Sequence, residues 1–107
     1  MIISIKKLIF NFNKYNNNPD IYIPLHKKGD FYKKVLENVK KNGIKNPLLV
    51  EDLKNGTYKV CIGNNRLLVA KELKYKELNC IILPNTKKET LLAYKKKYYK
   101  KVNDFIT

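Results

Sequence analysis

Apolar residues crowd the first positions of the chain, IISIKKLIF, in an imperfect alternation that predicts an opening strand. The next stretch, NFNKYNNNPDIYIPLHKKG, has no sustained period. Turn formers mark a loop at Asn16 to Pro19, and DIYIPL suits a short edge strand, because Pro24 in it cannot serve a central ladder. From Asp30 the spacing becomes helical: Phe31, Val35 and Val39, with Tyr32 and Leu36 beside them, share one face. Asp30 is placed to cap the start of this helix, Lys40 and Lys41 fall in the last turn where the helix dipole favours cations, and Gly43 can take the left-handed stop.

A strand follows Pro47 in LLVEDL, and Asn55-Gly56 predicts a tight two-residue hairpin turn into TYKVCI. The chain then breaks at Gly63 before NNRLLVAKEL, which has helical composition and no breakers. LNCIIL gives a further strand, ending at Pro84. Thr86 with Glu89 reads as a capping box opening a last helix, over about 86–103, with Leu91, Tyr94, Tyr98, Val102 and Phe105 on one side. The order strand, loop, helix, hairpin, helix, strand, helix predicts an α/β (α+β) domain spanning 1–107, a small mixed sheet with flanking helices.

Composition narrows the class. At 107 residues there is room for one core, and the 44% hydrophobic content excludes general disorder. No apolar run approaches the ~20 residues of a membrane span, and the lysine-bearing N-terminus lacks a signal-peptide cleavage pattern. A cytoplasmic protein without a membrane partner is expected. Cys61 and Cys80 sit singly in β-branched runs, without the paired spacings of zinc sites, and read as reduced core residues. Lysine, asparagine and isoleucine supply 47 of the 107 residues, and all three have A/T-rich codons. An AT-rich genome follows, such as that of a phage or other mobile element, with the host cytoplasm as the location. The net charge of +14 favours a polyanionic partner, nucleic acid before any other.

Against twenty-two lysines, Arg66 is the sole arginine. It follows a strand and a glycine, in the first turn of a helix, where exposed backbone N–H groups gather and favour an anion. The same dipole disfavours a cation, so an arginine there is out of place unless a phosphate accompanies it. Its planar fork grips two phosphate oxygens as an ammonium cannot, which gives a reason for it to resist drift to lysine. The competing reading is an arginine paired with a nearby carboxylate.

Residues 37–83, ENVKKNGIKNPLLVEDLKNGTYKVCIGNNRLLVAKELKYKELNCIIL, resemble the core of the ParB/sulfiredoxin superfamily, often described as ParB-like nuclease domains. The likeness covers a helix ending in N-G-I, the strand NPLLV, a hairpin ending GTYKVCIG, the G-x-x-R turn, Ala70 and a closing apolar strand. It implies the ParB/sulfiredoxin-like fold and a phosphate- or nucleotide-binding turn at Gly63, Asn64, Asn65 and Arg66. ParB-type members use this turn on the phosphates of CTP, free-serine kinases use it for a nucleotide, and sulfiredoxins carry their reactive cysteine there. Position 64 is Asn and Cys61 lies on the preceding strand, so no sulfiredoxin reaction is expected. Asn64 and Asn65 replace the glutamate and second arginine common in the ParB turn, and Lys74 replaces the glycine usual after the helix. ParB proteins continue into E-N-x-x-R and a helix-turn-helix domain, whereas PNTKKETLLAYKKKYYKKVNDFIT carries neither, so a form without centromere recognition is expected.

A nucleic-acid-associated domain binding a nucleotide or DNA phosphate is the leading expectation, with a nucleoside triphosphate and Mg²⁺ as the implied cofactors. The alternatives are a small enzyme on the same fold, a metal-dependent nuclease or nucleotide-dependent phosphotransferase, and a protein-interaction module. Catalytic candidates are few: His26, the sole histidine, in the loop before the first helix, and Glu37 among scattered acids. No set of residues is spaced as a metal site. The lysines Lys95, Lys96, Lys97, Lys100 and Lys101, interleaved with tyrosines, form a second surface able to hold a phosphate backbone. Tyr94 and Tyr98 are expected in the core. On the leading reading, Arg66→Ala removes nucleotide binding and leaves the fold intact.

Overall fold

Three consecutive apolar residues, Leu48, Leu49 and Val50, organise the whole domain. A strand whose successive side chains point to opposite faces can be apolar throughout only when both faces are covered. The structure, a computed structural model, describes residues 1–10 and 30–101. Among them run β1 (Ile2–Ser4), a 3-10 turn (Ile5–Lys7), β2 (Leu8–Ile9), α1 (Asp30–Asn42), β3 (Leu48–Asp52), β4 (Tyr58–Ile62), α2 (Asn64–Glu72), β5 (Glu77–Ile82) and α3 (Lys88–Tyr98). The five strands form one sheet in the order β1-β5-β3-β4-β2, with β3 in the middle. β3 is antiparallel to β4 and parallel to β5, β1 is antiparallel to β5, and β2 is parallel to β4. This is the mixed α+β fold that the order of elements implies.

Leu48, Val50, Val60, Leu78 and Cys80 turn one way, onto Leu67 and Ala70 of α2. Tyr32, Val35 and Val39 of α1 close this layer against Val69. The Tyr32 hydroxyl donates to a Glu72 carboxylate oxygen and ties α1 to the end of α2. Leu49 and Leu83 turn the other way, joined by Cys61, Ile62 and Ile81, onto Leu91, Tyr94, Tyr98 and Tyr99 of the α3 segment. α3 itself has no fully buried residue, so this second layer rests on half-buried rings and on Tyr99 beyond the helix end.

Local chemistry departs from the sequence reading at several places. The opening strand is broken: Ile5–Lys7 form a 3-10 turn held by Ile5 N–H to the Lys76 carbonyl at 2.9 Å, so β1 and β2 reach opposite edges of the sheet. The hairpin is present, but its loop is longer than the two-residue turn. Leu53 N–H bonds the Thr57 carbonyl at 3.1 Å, positive φ falls at Lys54 and Gly56, and Asp52 and Asn55 side chains accept the loop N–H groups of Lys54 and Thr57. The capping box of the last helix does not form. α3 starts at Lys88 with Lys87 at the cap, and Asn85 Oδ1 instead takes the Lys87 N–H at 3.0 Å.

α3 ends at Tyr98, inside the 86–103 span, and Tyr94 and Tyr98 are half-buried beside a core residue, Tyr99, that the periodicity assigned no such place. Cys80 is buried as expected and free, whereas free Cys61 is half-buried toward α3. Gly43 does take a left-handed φ of 75° at the end of α1, its N–H bonding the Val39 carbonyl at 2.9 Å. The edge strand in DIYIPL, Val102 and Phe105 lie outside the described residues, and so does the capping side chain of Asp30. Among the described residues no helix is long and apolar enough to cross a membrane.

Candidate phosphate-binding turn

Antiparallel pairing of β3 with β4 puts the start of one strand beside the end of the other, and the turn of interest forms there. Gly63 follows β4 with φ 117° and ψ 20°, and as the cap of α2 it accepts the first helical bond, Leu67 N–H to its carbonyl at 2.8 Å. A Cβ at this position would stand 2.6 Å from Leu48 Cγ and 3.2 Å from Arg66 Nη2. Glycine is therefore required twice, by backbone conformation and by the close approach of β3.

Neither Asn64 nor Asn65 caps the helix by its side chain. Gly63 holds the cap position itself, and Asn64 Nδ2 reaches back to the Val60 carbonyl at 3.2 Å. Asn65 is half-buried, with its Oδ1 enclosed and without a hydrogen-bond partner. No side chain caps the start of α2, and no acidic residue occupies the first turn of this helix.

Arg66 is fully buried, at 0% exposure. Its Nη1 donates to the Asn46 carbonyl at 2.9 Å and its Nη2 to the Tyr99 hydroxyl at 2.8 Å, while the Tyr99 hydroxyl donates to the Pro47 carbonyl. The guanidinium carbon stands 5.3 Å from the centroid of the Tyr99 ring, and Nε is buried without a hydrogen-bond partner. Among the described residues no carboxylate lies within ion-pair distance of it, so the paired-carboxylate alternative does not hold. A buried cation held only by neutral oxygens and a ring, next to the positive end of a helix, creates a local potential that an anion would relieve.

Of the other candidates, Glu37 is exposed on the face of α1 opposite Val35 and Val39, and His26 lies outside the described residues. Among the described residues no three His, Cys, Asp or Glu side chains group as a metal site. Lys96, Lys97, Lys100 and Lys101 are exposed and Lys95 is half-buried. Lys100 and Lys101 fall beyond the end of α3, and Lys97 Nζ sits 5.4 Å over the Tyr98 ring. Tyr99, the residue that touches Arg66, was invisible as a site residue in the sequence. It stands in a lysine-tyrosine run, thirty-three positions from its partner.

The fold matches solved structures of low sequence identity. C-terminally truncated ParB from Caulobacter crescentus in complex with CTP-γ-S is similar at a TM-score of 0.62 and 14% identity, over 95% of this chain and 53% of that one. The same protein bound to the centromeric parS site is similar at 0.56 and 17%, over 88% and 44%. A free serine kinase variant in complex with ADP is similar at 0.61 and 19%, over 82% of this chain and 32% of the kinase. The chain thus spans about a third to a half of these proteins. Comparison with curated proteins finds no match. The family model for the ParB N-terminal domain matches residues 27–96, and the chain belongs to that family.

Proposed function

We propose that this domain binds the phosphate groups of a nucleotide or of a DNA backbone at the turn Gly63, Asn64, Asn65 and Arg66. The observation that carries the reading is Arg66 itself: a guanidinium with no exposure and no carboxylate among the described residues, set against the N-terminus of α2. CTP-γ-S, ADP and parS in the similar structures support the same ligand classes. The lysines at the end of α3 provide a second, sequence-independent contact to a polyanion. Any Mg²⁺ would arrive on the phosphates of a nucleotide, since the described residues offer no carboxylate cluster for it. The soluble, cytoplasmic setting belongs to this same proposal.

The test is thermal stabilisation of the protein by ATP, CTP, inorganic triphosphate and a short DNA duplex, at low and high salt, in wild type and in Asn65→Asp. The aspartate is nearly isosteric and introduces a negative charge at the helix N-terminus, which opposes a second anion. Stabilisation of the wild type that disappears in Asn65→Asp is the expected result. No stabilisation of the wild type by any of these anions would leave Arg66 a purely structural residue.

A further inference from the structure

We infer that Tyr99 is an internal substitute for an anion oxygen on Arg66, and that it sets how tightly the turn holds a phosphate. This rests on the phosphate reading of the turn. The phenol oxygen accepts from Nη2 at 2.8 Å, the distance and the donor that a phosphate oxygen would use, and it sends its own proton to the Pro47 carbonyl. The ring lies over the guanidinium, at 5.3 Å from its carbon, and Tyr99 is itself only 6% exposed. While Tyr99 is in place, nothing in solution reaches the Nη atoms. Arg66 Nε is already buried without a partner, so the guanidinium has one donor that the protein does not use.

A phenol is a neutral acceptor. A phosphate oxygen is charged, so it adds ion-pair attraction to a bond in which, with the phenol, only the donor carries charge, and two of its oxygens can take the guanidinium fork at once. An anion can therefore displace the hydroxyl, provided the segment that carries it yields. That segment is held by rings rather than by fully buried helix residues: α3 has none of these, and Tyr99, packed with Leu49 and Leu83, lies just past the helix with its N–H on the Lys95 carbonyl at 2.7 Å. Anion occupancy at Arg66 and docking of the end of α3 exclude one another. Part of the intrinsic affinity of the turn is spent on releasing Tyr99.

Tyr99→Phe keeps the ring and removes the oxygen. Binding of inorganic triphosphate and of ATP to the full chain, wild type and Tyr99→Phe, is measured by titration calorimetry. Hydrogen exchange of the wild-type segment 94–101 is followed with and without triphosphate. The inference expects Tyr99→Phe to bind at least several-fold tighter, and triphosphate to speed exchange in the wild-type segment. Equal affinities with exchange unchanged would overturn the role of Tyr99 and leave the phosphate reading standing. No binding to either protein would remove both. The exchange measurement uses no variant, so it decides the matter even where Tyr99→Phe is poorly folded.

Discussion

Arg66 and Tyr99 meet across the end of the sheet from its two faces, the guanidinium Nη2 donating to the phenol oxygen at 2.8 Å above the Asn46-Pro47 segment that leads into β3. α2 packs on the Leu48 and Val50 side, and the Tyr99 segment on the Leu49 side. A single side chain thus joins the two layers at the point where the candidate site lies, so the fold and the proposed binding depend on one residue.

Arg66→Ala is accordingly expected to destabilise the fold, contrary to the clean binding knockout suggested by the sequence. It opens a cavity and removes the donors to the Asn46 carbonyl and the Tyr99 hydroxyl, at a cost of about 3 kcal/mol or more. Arg66→Met retains most of the apolar volume without the charge and should cost about 1–2 kcal/mol. Urea denaturation of the two variants gives the comparison, and Met is the form in which loss of anion binding can be read separately from loss of fold.

Gly63→Ala should cost at least about 2 kcal/mol, from positive φ and overpacking together. The added methyl would lie 2.6 Å from Leu48 Cγ, and Leu48 is a fully buried residue of the central strand with no room to retreat. A denaturation midpoint unchanged from wild type would show that β3 and the turn are not packed this way.

Lys74 offers the opposite case, a stabilising change away from the site. α2 ends in a Schellman arrangement, Lys74 N–H to the Lys71 carbonyl at 3.1 Å and Tyr75 N–H to the Ala70 carbonyl at 2.8 Å, with Lys74 itself at φ 61°. An L residue with a long side chain is strained there, and the side chain is exposed and has no packing to lose. Lys74→Gly should raise stability by about 0.5–1 kcal/mol without altering anion binding. Equal or lower stability would contradict it.

The hydrophobic pattern made the sheet and helices legible, because burial on two faces leaves a direct trace: Leu48, Leu49 and Val50 on β3, and Tyr32, Val35 and Val39 on α1, stand in the sequence as they stand in the core. The turn was legible for a different reason, a glycine and a lone arginine between a strand and a helix. What the sequence could not reveal was direction. Nothing in GNNR says whether the guanidinium faces outward to a ligand or inward to a tyrosine thirty-three positions away, since that depends on where the segment after α3 settles. The start of α3 was misread for a related reason: the helix begins at Lys88 with Lys87 at the cap and no side-chain cap, and Asn85 bonds the Lys87 N–H ahead of it.

The alkaline limb of stability should reflect two buried acids. Burial pushes the Cys80 thiol up to about 11 from an ordinary 9.0, outweighing the N-terminal ammonium and Arg66, which pull it down. Tyr32 rises to about 12 from 10.0, through burial first and then its bond to Glu72. Both groups are neutral when protonated and ionise more readily in the unfolded chain, so the unfolded state releases protons first as pH rises. Their contribution is full below about pH 9, then declines from 9 to 11 as Cys80 titrates and from 10 to 12 as Tyr32 does. Cys80→Ala should flatten the first part of this decline and leave the second, which a series of denaturation curves from pH 8 upward would resolve. Accessibility predicts an order of thiol reactivity: Cys61, half-buried though also raised by its burial, is alkylated in the native protein, and Cys80 only as the fold opens. Mass spectrometry after timed iodoacetamide treatment distinguishes the two, and simultaneous labelling in native buffer would show that β5 is not enclosed between the helical layers as described.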